Sequence, residues 1–510
     1  MRVLVFHGYL LRGTGSNVYN ARLCAALARL GHTVDLLCQE PRPEELDFVD
    51  AVGTWEGGQP RVTVLREPVR VTAWRPDIGG LLPVYVADRY EGIEARTLLE
   101  CSDAEVEAYV AANVAAVRDV VARDRPDVAL ANHLVMGPAI LARALGDAVP
   151  YAVKVHGSAL EYVVKRDPER FLPWAREGLS GARTVLVGSR HTAESLWSAM
   201  GDEGLAARTR LGPPGVDVDE FRPRDDAARA VRALADRLAA APAESGEGSF
   251  ARDGAQAAEA LRALDLEHDR HVCFIGKLIV SKGIDLLVAA WPLVPEARLV
   301  VVGFGGFTEG LERLIDALAA GDRETVRAIA QAGRELEGGP RAPLRHLLAF
   351  LDEAGEGYWR AARELRERIV LTGRLEHDEL SPLLAACEAL VFPSTFPEAF
   401  GMVAAEAAAC GVLPISAAHS GAAEVSAVLA AAVPEPARGW LSFDVDDGAV
   451  PAIAERVTGW LRAPADLRAQ ARAALVSTAR ERYSWEGVAG GVIAAAEGRL
   501  EVLPTVPGSG

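Results

Sequence analysis

Residues 392–406 read Phe-Pro-Ser-Thr-Phe-Pro-Glu-Ala-Phe-Gly-Met-Val-Ala-Ala-Glu. Together with its neighbours, this stretch is the strongest indication of the fold in the sequence. The apolar run Ala389 to Phe392 predicts a buried strand, and a helical pattern from Phe400 to Ala409 follows it after a short loop. The next apolar run, Leu413 to Ser416, predicts another strand. A strand, a helix and a strand in this order indicate a parallel sheet covered by helices.

Two glutamates in this stretch, Glu398 and Glu406, are candidates for binding a polyol that carries phosphate. They lie eight positions apart, so we expect both carboxylates on the same side of the helix that starts near Phe400. The start of that helix would offer the N–H groups of Ala399, Phe400 and Gly401 to an anion or to sugar hydroxyls. An acidic first turn with a solvated glutamate is the alternative, and it would be preferred for an isolated pair of acids.

The same alternation of strands and helices extends along the chain in both directions. In the second half it predicts strands at His271–Ile275, Arg298–Val302 and Ile369–Thr372, with a helix at Gly283–Trp291. In the first half it predicts strands at Val3–Phe6, Thr33–Leu37, Val128–Ala131, Tyr151–Val155 and Thr184–Gly188, with helices at Asn17–Leu30 and Asp103–Ala122. We therefore predict an α/β protein of two Rossmann-like, doubly wound domains with a ligand crevice at the carboxyl ends of their strands.

The boundaries of these domains follow from breaks in the pattern. Gly212-Pro213-Pro214-Gly215 interrupts any regular element, so we place one domain at 1–213 and the other at 214–482. A last apolar helix is predicted from Tyr483 to about Leu500, within the segment 483–510. Ala240–Gln256 is predicted to be a surface loop. The helical stretch 320–367 is longer than a usual crossover, and an acceptor-binding insert, an oligomerisation insert and a plain helical hairpin all remain open.

Composition excludes several classes of protein. The 510 residues are half apolar and a quarter charged, which is typical of folded globular proteins. The formal charge of −17 argues against nucleic acid and anionic lipid as partners. The six cysteines lack the spacing of metal ligands and indicate free thiols in a reducing compartment. No run predicts a signal peptide or a transmembrane segment, so we expect a cytoplasmic protein, and a homo-oligomer is compatible with the sequence.

The stretch 392–406 resembles the family 4 glycosyltransferases of the GT-B fold, whose signature is two glutamates separated by seven residues after a strand that ends in Pro-Ser. Further matches occur in the same order as in that family: Gly215-Val216-Asp217 with Phe221-Arg222-Pro223, Phe274-Ile275-Gly276-Lys277-Leu278 with Ser281-Lys282-Gly283-Ile284-Asp285, and Gly421 with Glu424. The resemblance covers nearly the whole chain except the two inserts. It implies two Rossmann-like domains that face each other across a cleft, with the C-terminal helix crossing back to the first domain.

The resemblance also implies a role for each carboxylate and a class of donor. Glu398 would contact the hydroxyls of the donor sugar, and Glu406 would contact the ribose of a nucleoside-diphosphate sugar linked to UDP or GDP. Gly373 and Arg374, which follow the strand Ile369–Thr372, would lie near the nucleobase, although Arg374 could equally be a surface residue. The sequence names neither the donor sugar nor the acceptor.

Lys277 and Lys282 bracket the turn after the first strand of the second domain, next to Gly276. Two cations at this position would neutralise the diphosphate as it leaves, a task that a metal ion performs in other enzymes. The family usually has arginine at the first position, so Lys277 supplies the charge without the bidentate fork. Two turn lysines are otherwise usually solvated surface groups. Because these lysines would take over the charge-stabilising role of a metal ion, we expect neither a metal nor another cofactor.

Candidate residues of the first domain also follow predicted strands. Gly15 and Ser16 belong to the loop Arg12–Ser16, which a simple tight turn explains nearly as well and which lacks the full dinucleotide fingerprint. The family resemblance places this loop near the donor phosphate and the acceptor. His156 follows the strand Tyr151–Val155, and the resemblance places it beside the reacting carbon of the donor sugar. Ser189 follows another strand, where it could line the cleft or cap the next helix.

The leading hypothesis is therefore a retaining glycosyltransferase in which His156, Lys277, Lys282 and Glu398 serve catalysis. The donor phosphate itself could accept the proton of the acceptor hydroxyl, so no carboxylate needs to act as a covalent nucleophile. A sugar-nucleotide epimerase of the same architecture is one alternative, and a non-catalytic sugar-nucleotide sensor is another. Donor hydrolysis or transfer to candidate acceptors would separate the three.

Overall fold

The computed structural model describes residues 1–12, 15–85, 94–240 and 253–507. The chain divides into two compact units, the first formed by Met1–Gly215 with Tyr483–Gly510 and the second by Val216–Arg482. Among the described residues, no helix is both long and apolar enough to cross a membrane. All six cysteines are buried and unpaired.

The first unit is built on a parallel sheet. Its strands, in chain order, are β1 (Arg2–Phe6), β2 (Thr33–Leu37), β3 (Ala51–Glu56), β4 (Gln59–Val64), β5 (Val71–Trp74), β6 (Leu81–Val84), β7 (Glu94–Thr97), β8 (Val128–Asn132), β9 (Tyr151–Val155), β10 (Thr184–Val187) and β11 (Thr209–Leu211). Within the described ranges, nine of them form one sheet in the order β11-β10-β9-β8-β1-β2-β5-β3-β4. Only the β3–β4 pair in this sheet is antiparallel, while β6 and β7 pair with each other.

Helices cover both faces of this sheet because its central strands are apolar on both sides. The unit contains α1 (Gly15–Arg29), α2 (Asp103–Arg123), α3 (Gly137–Leu145), α4 (Pro168–Ser180) and α5 (Arg190–Met200). Ser102 and Glu105 form a capping box that fixes the start of α2. Gly201 ends α5 in the left-handed conformation, with φ 61°.

The region between β2 and α2 holds strands that the sequence analysis did not predict. Strands β3 and β4 form a hairpin with register Glu56 to Gln59, and its turn is Gly57-Gly58 with φ of 57° and 77°. Two glycines between two β-rich runs are the sequence pattern that could have identified this hairpin. Strand β4 lies at the edge of the sheet.

The second unit repeats the plan with a smaller sheet. Its strands are β12 (His271–Ile275), β13 (Arg298–Val302), β14 (Ile369–Gly373), β15 (Ala389–Phe392), β16 (Leu413–Ala417) and β17 (Ser442–Phe443). They are parallel throughout, in the order β14-β13-β12-β15-β16-β17. Because the chain reverses its direction of winding at β12, the carboxyl ends of β12 and β15 form the topological switch point where doubly wound sheets bind ligands.

The helices of the second unit include the long insert. They are α6 (Ala227–Ala240), α7 (Gly254–Arg262), α8 (Ile284–Ala290), α9 (Thr308–Ala320), α10 (Arg323–Ala332), α11 (Arg345–Glu353), α12 (Glu356–Ala362), α13 (Leu365–Arg368), α14 (Leu380–Ala385), α15 (Met402–Ala409), α16 (Ser420–Ala432), α17 (Ala449–Arg462) and α18 (Ala465–Tyr483). The stretch 320–367 is helical and holds α10 to α13. It joins β13 to β14 through a far longer path than a usual crossover.

The final helix, α19 (Trp485–Glu497), returns to the first unit. Ser484 caps it by accepting the N–H of Gly487. Its apolar face is part of a core that also contains residues of α1 and β1. Gly215 lies against Trp485 so closely that a Cβ atom there would come within 2.4 Å of the indole ring, which explains the glycine at this point.

Several predicted element boundaries were wrong, including the last helix, which spans Trp485–Glu497 rather than Tyr483 to about Leu500. Helix α1 begins at Gly15 rather than at Asn17, so Gly15 and Ser16 belong to its first turn instead of a loop. Helix α15 begins at Met402 rather than near Phe400, because the chain stays irregular through Gly401. Residues 253–256, predicted as the end of a loop, are the capped start of α7 with Asp253 as N-cap. The rest of that predicted loop lies outside the described residues.

Candidate active site

Glu398 lies at the centre of a hydrogen-bonded cluster at the carboxyl end of β15. Its Oε1 atom lies 2.5 Å from Lys282 Nζ, and the Ser394 hydroxyl donates to the same oxygen at 2.6 Å. The backbone N–H of Glu398 donates to Ser420 Oγ at 2.8 Å. His419 donates from Nε2 to the carbonyl oxygen of Ser394 at 2.8 Å, which fixes the other side of the loop. The cluster therefore holds one carboxylate and one ammonium in direct contact.

Two glycines allow this cluster to close. Gly283 has φ 67°, and a Cβ atom there would lie 1.9 Å from the carbonyl oxygen of Pro393. Gly421 is the second, because its Cβ would lie 2.6 Å from the carbonyl oxygen of Ala399. A side chain at Gly283 would push apart the loops that carry Lys282 and Glu398, and one at Gly421 would push the Glu398 loop away from α16. The close backbone contacts at the site therefore explain why both motif positions are glycine.

Glu406 occupies a separate position on α15, almost fully buried. Its Oε1 atom accepts a hydrogen bond from His377 Nε2 at 2.7 Å. The imidazole of His377 packs on the ring of Phe221, with 5.0 Å between ring centroids. The motif residue Phe221 therefore supports the histidine that orients Glu406, a connection that no spacing in the sequence predicts.

The helical spacing used to place Glu398 and Glu406 on one side of a helix does not extend to Glu398. Glu398 precedes the helix, because α15 begins only at Met402. Ala399, Phe400 and Gly401 also precede the helix, and Gly401 is its N-cap residue. The N–H groups of Met402 and Val403 are in the first turn, where the helix itself supplies no acceptor. The backbone N–H groups that the helix start offers to an anion therefore lie later in the chain than the three predicted ones.

The two lysines of the β12 turn differ in their surroundings. Lys282 is ion-paired with Glu398, while Lys277 is exposed. The turn between them is fixed by hydrogen bonds from Leu278 N to the carbonyl oxygen of Phe304 and from Phe307 N to that of Leu278. The turn therefore presents one exposed ammonium and one that a carboxylate already neutralises.

Gly276, Gly373 and Arg374 flank this turn at the ends of β12 and β14. The carbonyl oxygen of Gly276 would be 1.9 Å from a Cβ atom at Gly303, so the two loops run in direct backbone contact. Gly373 adopts a left-handed φ of 72°. Arg374 forms an ion pair with Glu376 at 2.8 Å and lies over the ring of Phe304, 5.3 Å from its centroid. These contacts make Arg374 an ordered side chain.

In the first unit, His156 lies at the carboxyl end of β9 with its orientation set by Asn132. The Asn132 amide donates from Nδ2 to the carbonyl oxygen of Phe6 at 3.2 Å, so its Oδ1 faces His156 Nε2 at 2.8 Å. An oxygen acceptor requires the proton on Nε2, which leaves Nδ1 as a hydrogen-bond acceptor. Burial, with smaller contributions from His133 and Lys154, lowers the pKa of His156 well below its usual range. The imidazole is neutral at pH 7.

Two further histidines surround His156, and the sequence analysis missed both. His133 lies 5.0 Å from the His156 ring and 5.7 Å from the His7 ring, measured between centroids. Burial lowers the pKa of His7 to about 4 and that of His133 well below its usual range. Both directly follow buried strands, β1 and β8, and this position is the sequence feature that could have identified them.

The other predicted residues of the first unit have structural contacts of their own. Ser189 is the N-cap of α5, where its hydroxyl accepts the N–H of Thr192 at 3.2 Å. A Cβ atom added at Gly15 would have no neighbour within 4 Å. The carbonyl oxygen of Ser16 accepts a hydrogen bond from Asn20 Nδ2 at 2.9 Å. Gly13 and Thr14 of the predicted loop lie outside the described residues. Across the parts of the chain that the structure describes, no cluster of three or more His, Cys, Asp or Glu side chains could hold a metal ion.

Two family models match the chain. The model described as "Glycosyl transferase 4-like domain" matches residues 14–215, and the model described as "Glycosyl transferases group 1" matches residues 352–481. The chain belongs to the family 4 glycosyltransferases. The family that the two glutamates and their context predicted is thereby confirmed, and the chain is a glycosyltransferase enzyme.

Curated relatives of this glycosyltransferase carry one common name. The D-inositol 3-phosphate glycosyltransferase of Xylanimonas cellulosilytica is 25% identical over 417 residues, which are 80% of this chain and 76% of the relative. The protein of that name from Segniliparus rotundus is 28% identical over 290 residues, or 55% of this chain. That match spans 45% of the second relative, less than half of its length.

Solved structures resemble the glycosyltransferase over nearly its whole length. They include sucrose-phosphate synthase from Thermosynechococcus elongatus, with a TM-score of 0.54, 19% identity and coverage of 98% of both chains. Anabaena HepE, solved in complex with UDP, has a TM-score of 0.55 and 16% identity, and covers 98% of this chain and 100% of its own. At these identities the likeness shows the fold alone. It confirms the predicted GT-B architecture of two Rossmann-like domains.

Proposed function

We propose that this glycosyltransferase moves a sugar from a nucleoside-diphosphate sugar to an acceptor hydroxyl, with retention of configuration and without a metal ion. The observation that carries the proposal is the pair of carboxylates at the carboxyl ends of the second sheet, each held by a different cation or imidazole. Glu398 contacts Lys282, and Glu406 contacts His377. Two separately oriented carboxylates suit two separate sets of hydroxyls, those of the sugar and those of the ribose.

The proposed donor follows from charge. An NDP-sugar brings a diphosphate that becomes more negative as the glycosidic bond breaks, and Lys277 is exposed at the turn where that charge would develop. Lys282 would add its charge as donor hydroxyls take over hydrogen bonds to Glu398. HepE, a neighbour in fold, was solved with UDP and with UDP-glucose, so uridine donors are the first to test and GDP-linked donors the second.

The proposed chemistry needs no covalent intermediate on the protein. The acceptor hydroxyl attacks the anomeric carbon from the face that the diphosphate leaves, and the departing phosphate oxygen takes the hydroxyl proton. Lys277 and the N–H groups at the start of α15 stabilise the diphosphate. His156, neutral and with Nδ1 as an acceptor, is suited to hold a sugar hydroxyl rather than to donate a proton.

A transfer assay tests the proposal. The enzyme is incubated with UDP- and GDP-sugars and a panel of polyol acceptors that begins with inositol phosphates, in view of the two curated relatives. We expect release of nucleoside diphosphate that depends on one acceptor, and a product whose anomeric configuration by NMR equals that of the donor. Inverted product would contradict retention. A changed sugar nucleotide with no acceptor consumed would indicate an epimerase instead.

A further inference from the structure

The insert between β13 and β14 reaches the turn that carries the two lysines. Within the insert, a short 3-10 turn at Arg334–Glu337 follows α10. Glu337 Oε2 accepts the backbone N–H of Val280 at 2.8 Å. Val280 stands between Lys277 and Lys282, so the insert is bonded directly to the lysine turn.

Glu337 is held firmly on the insert side. Its second oxygen, Oε1, lies 3.0 Å from Arg334 Nε, and only 9% of its side chain is exposed. Both carboxylate oxygens are therefore engaged, one by the lysine turn and one by the insert. A hydrogen bond from a backbone N–H to a charged carboxylate is stronger than one between neutral groups.

The 3-10 turn itself is a rigid support. Gly333, just before it, has φ 52°, and a Cβ atom there would lie 1.9 Å from the carbonyl oxygen of Ala342. Arg334 N donates to that same carbonyl oxygen at 3.1 Å. On the other side, Leu336 packs close to Gly310 of α9. The carboxylate of Glu337 is thus fixed in position by backbone contacts on both sides.

We propose that Glu337 is a positioning residue that sets the Lys277–Lys282 turn for the donor diphosphate. The inference rests on the proposed function, since it assigns a ligand to that turn. Other contacts fix the two ends of the turn, Leu278 through the loop after β13 and Lys282 through Glu398. Between these ends, the N–H of Val280 donates to Glu337, and the carbonyl oxygen of Ser281 accepts the N–H of Thr395.

Arg334 makes a carboxylate at this place compatible with an anionic ligand. An unpaired Glu337 would repel the diphosphate, whereas the pair with Arg334 carries no net charge. The insert thereby adds a neutral support to the anion site rather than a further charge.

The test compares a diphosphate ligand with its phosphate-free nucleoside. Dissociation constants for UDP and uridine, and for GDP and guanosine, are measured by calorimetry on the full chain, and the pair that binds the wild type is used. For Glu337→Ala we expect affinity for the diphosphate to fall about tenfold, the size of one charge-assisted hydrogen bond, with nucleoside affinity unchanged. Glu337→Gln keeps an oxygen acceptor and should recover most of the loss.

The matched control is Glu335→Ala, which removes an exposed glutamate from the same 3-10 turn and should leave both affinities at wild-type values. Equal weakening of diphosphate and nucleoside in Glu337→Ala would show a general loss of structure and overturn the proposal. Unchanged diphosphate affinity would overturn it as well. If the wild type binds neither diphosphate, the proposed function itself fails and this inference falls with it.

Discussion

The two sheets of this glycosyltransferase share a parallel, doubly wound plan, but their carboxyl ends differ in charge. In the second unit that edge carries an ion pair, Lys282 with Glu398, and a carboxylate bonded to His377. In the first unit the corresponding edge carries His7, His133 and His156, whose pKa values are all lowered by burial. The imidazole cluster of the first unit is uncharged at pH 7, whereas the cluster of the second unit contains an ion pair.

This difference in charge indicates how one architecture can bind two kinds of ligand. A charged edge can stabilise a diphosphate, whose charge grows during the reaction. A neutral cluster of imidazoles offers directed donors and acceptors for hydroxyl groups without attracting phosphate. The fold places both edges at strand ends, and the residues that follow the strands decide their chemistry.

The largest expected effect is that of Glu398→Gln on turnover. The amide keeps the shape of the side chain but removes the charge that faces Lys282, so we expect kcat to fall roughly a hundredfold while affinity for the nucleoside diphosphate changes little. Steady-state kinetics and calorimetry measure the two quantities. A variant with wild-type kcat would remove Glu398 from the reacting part of the charged edge.

Next in size is the effect of Glu406→Ala on nucleotide binding. If Glu406 contacts the ribose, its removal should weaken nucleoside diphosphate binding by about ten- to a hundredfold. His377→Ala should weaken it less, because the carboxylate would remain but lose its orientation. Calorimetry on both variants tests the order. Unchanged affinity in Glu406→Ala would contradict the ribose assignment.

A smaller effect is expected from Asn132→Ala on the neutral edge. The amide oxygen of Asn132 holds the proton of His156 on Nε2, so its loss should let both tautomers form and lower kcat by about tenfold with little change in the KM for the donor. NMR of ¹⁵N-labelled histidine distinguishes the tautomers, with a His156→Asn variant to assign the signal. A wild-type spectrum with the proton on Nδ1 would show that the hydrogen bond is misassigned.

The smallest predicted effect concerns stability. Both ring nitrogens of His133 are buried and have no hydrogen-bond partner among the described residues. Replacing the ring in His133→Phe removes this cost, so the variant should be more stable at pH 7 by about 1 kcal/mol. The pKa of His133 is lowered in the fold, so the unfolded chain binds more protons below about pH 6.5, and wild-type stability falls on acidification.

His133→Phe should therefore gain more relative to the wild type at pH 5 than at pH 7. Thermal unfolding of both proteins at the two pH values measures the difference. An equal gain at both would mean that the pKa of His133 is the same in the folded and the unfolded chain, which would contradict the effect of burial.

The comparison also shows what a sequence can predict. Strands Tyr151–Val155 and His271–Ile275 were predicted to the residue, because buried parallel strands are continuous apolar runs with sharp ends. The start of α15 was misplaced by two residues, since the proline and glycine around Glu398 keep the loop irregular for longer than the helical pattern indicates.

Site contacts were predictable only where both residues follow predicted strands of the sheet. Lys282 and Glu398 could be placed at neighbouring strand ends by the βαβ plan, and the structure joins them. The contacts of Phe221 with His377 and of Glu337 with Val280 link residues 156 and 57 positions apart, respectively. Such contacts leave no periodic pattern in the sequence, because they depend on how distant elements pack together.

We propose that the charged edge of the second unit binds a nucleoside diphosphate through lysine and backbone N–H groups without a metal ion. This is tested by calorimetric titration of UDP and GDP into the wild-type enzyme, in excess EDTA and again with magnesium. We expect saturable binding of one of the two in EDTA, with a dissociation constant that magnesium alters by less than about threefold. Binding that disappears in EDTA and returns with magnesium would show that the site needs a metal ion.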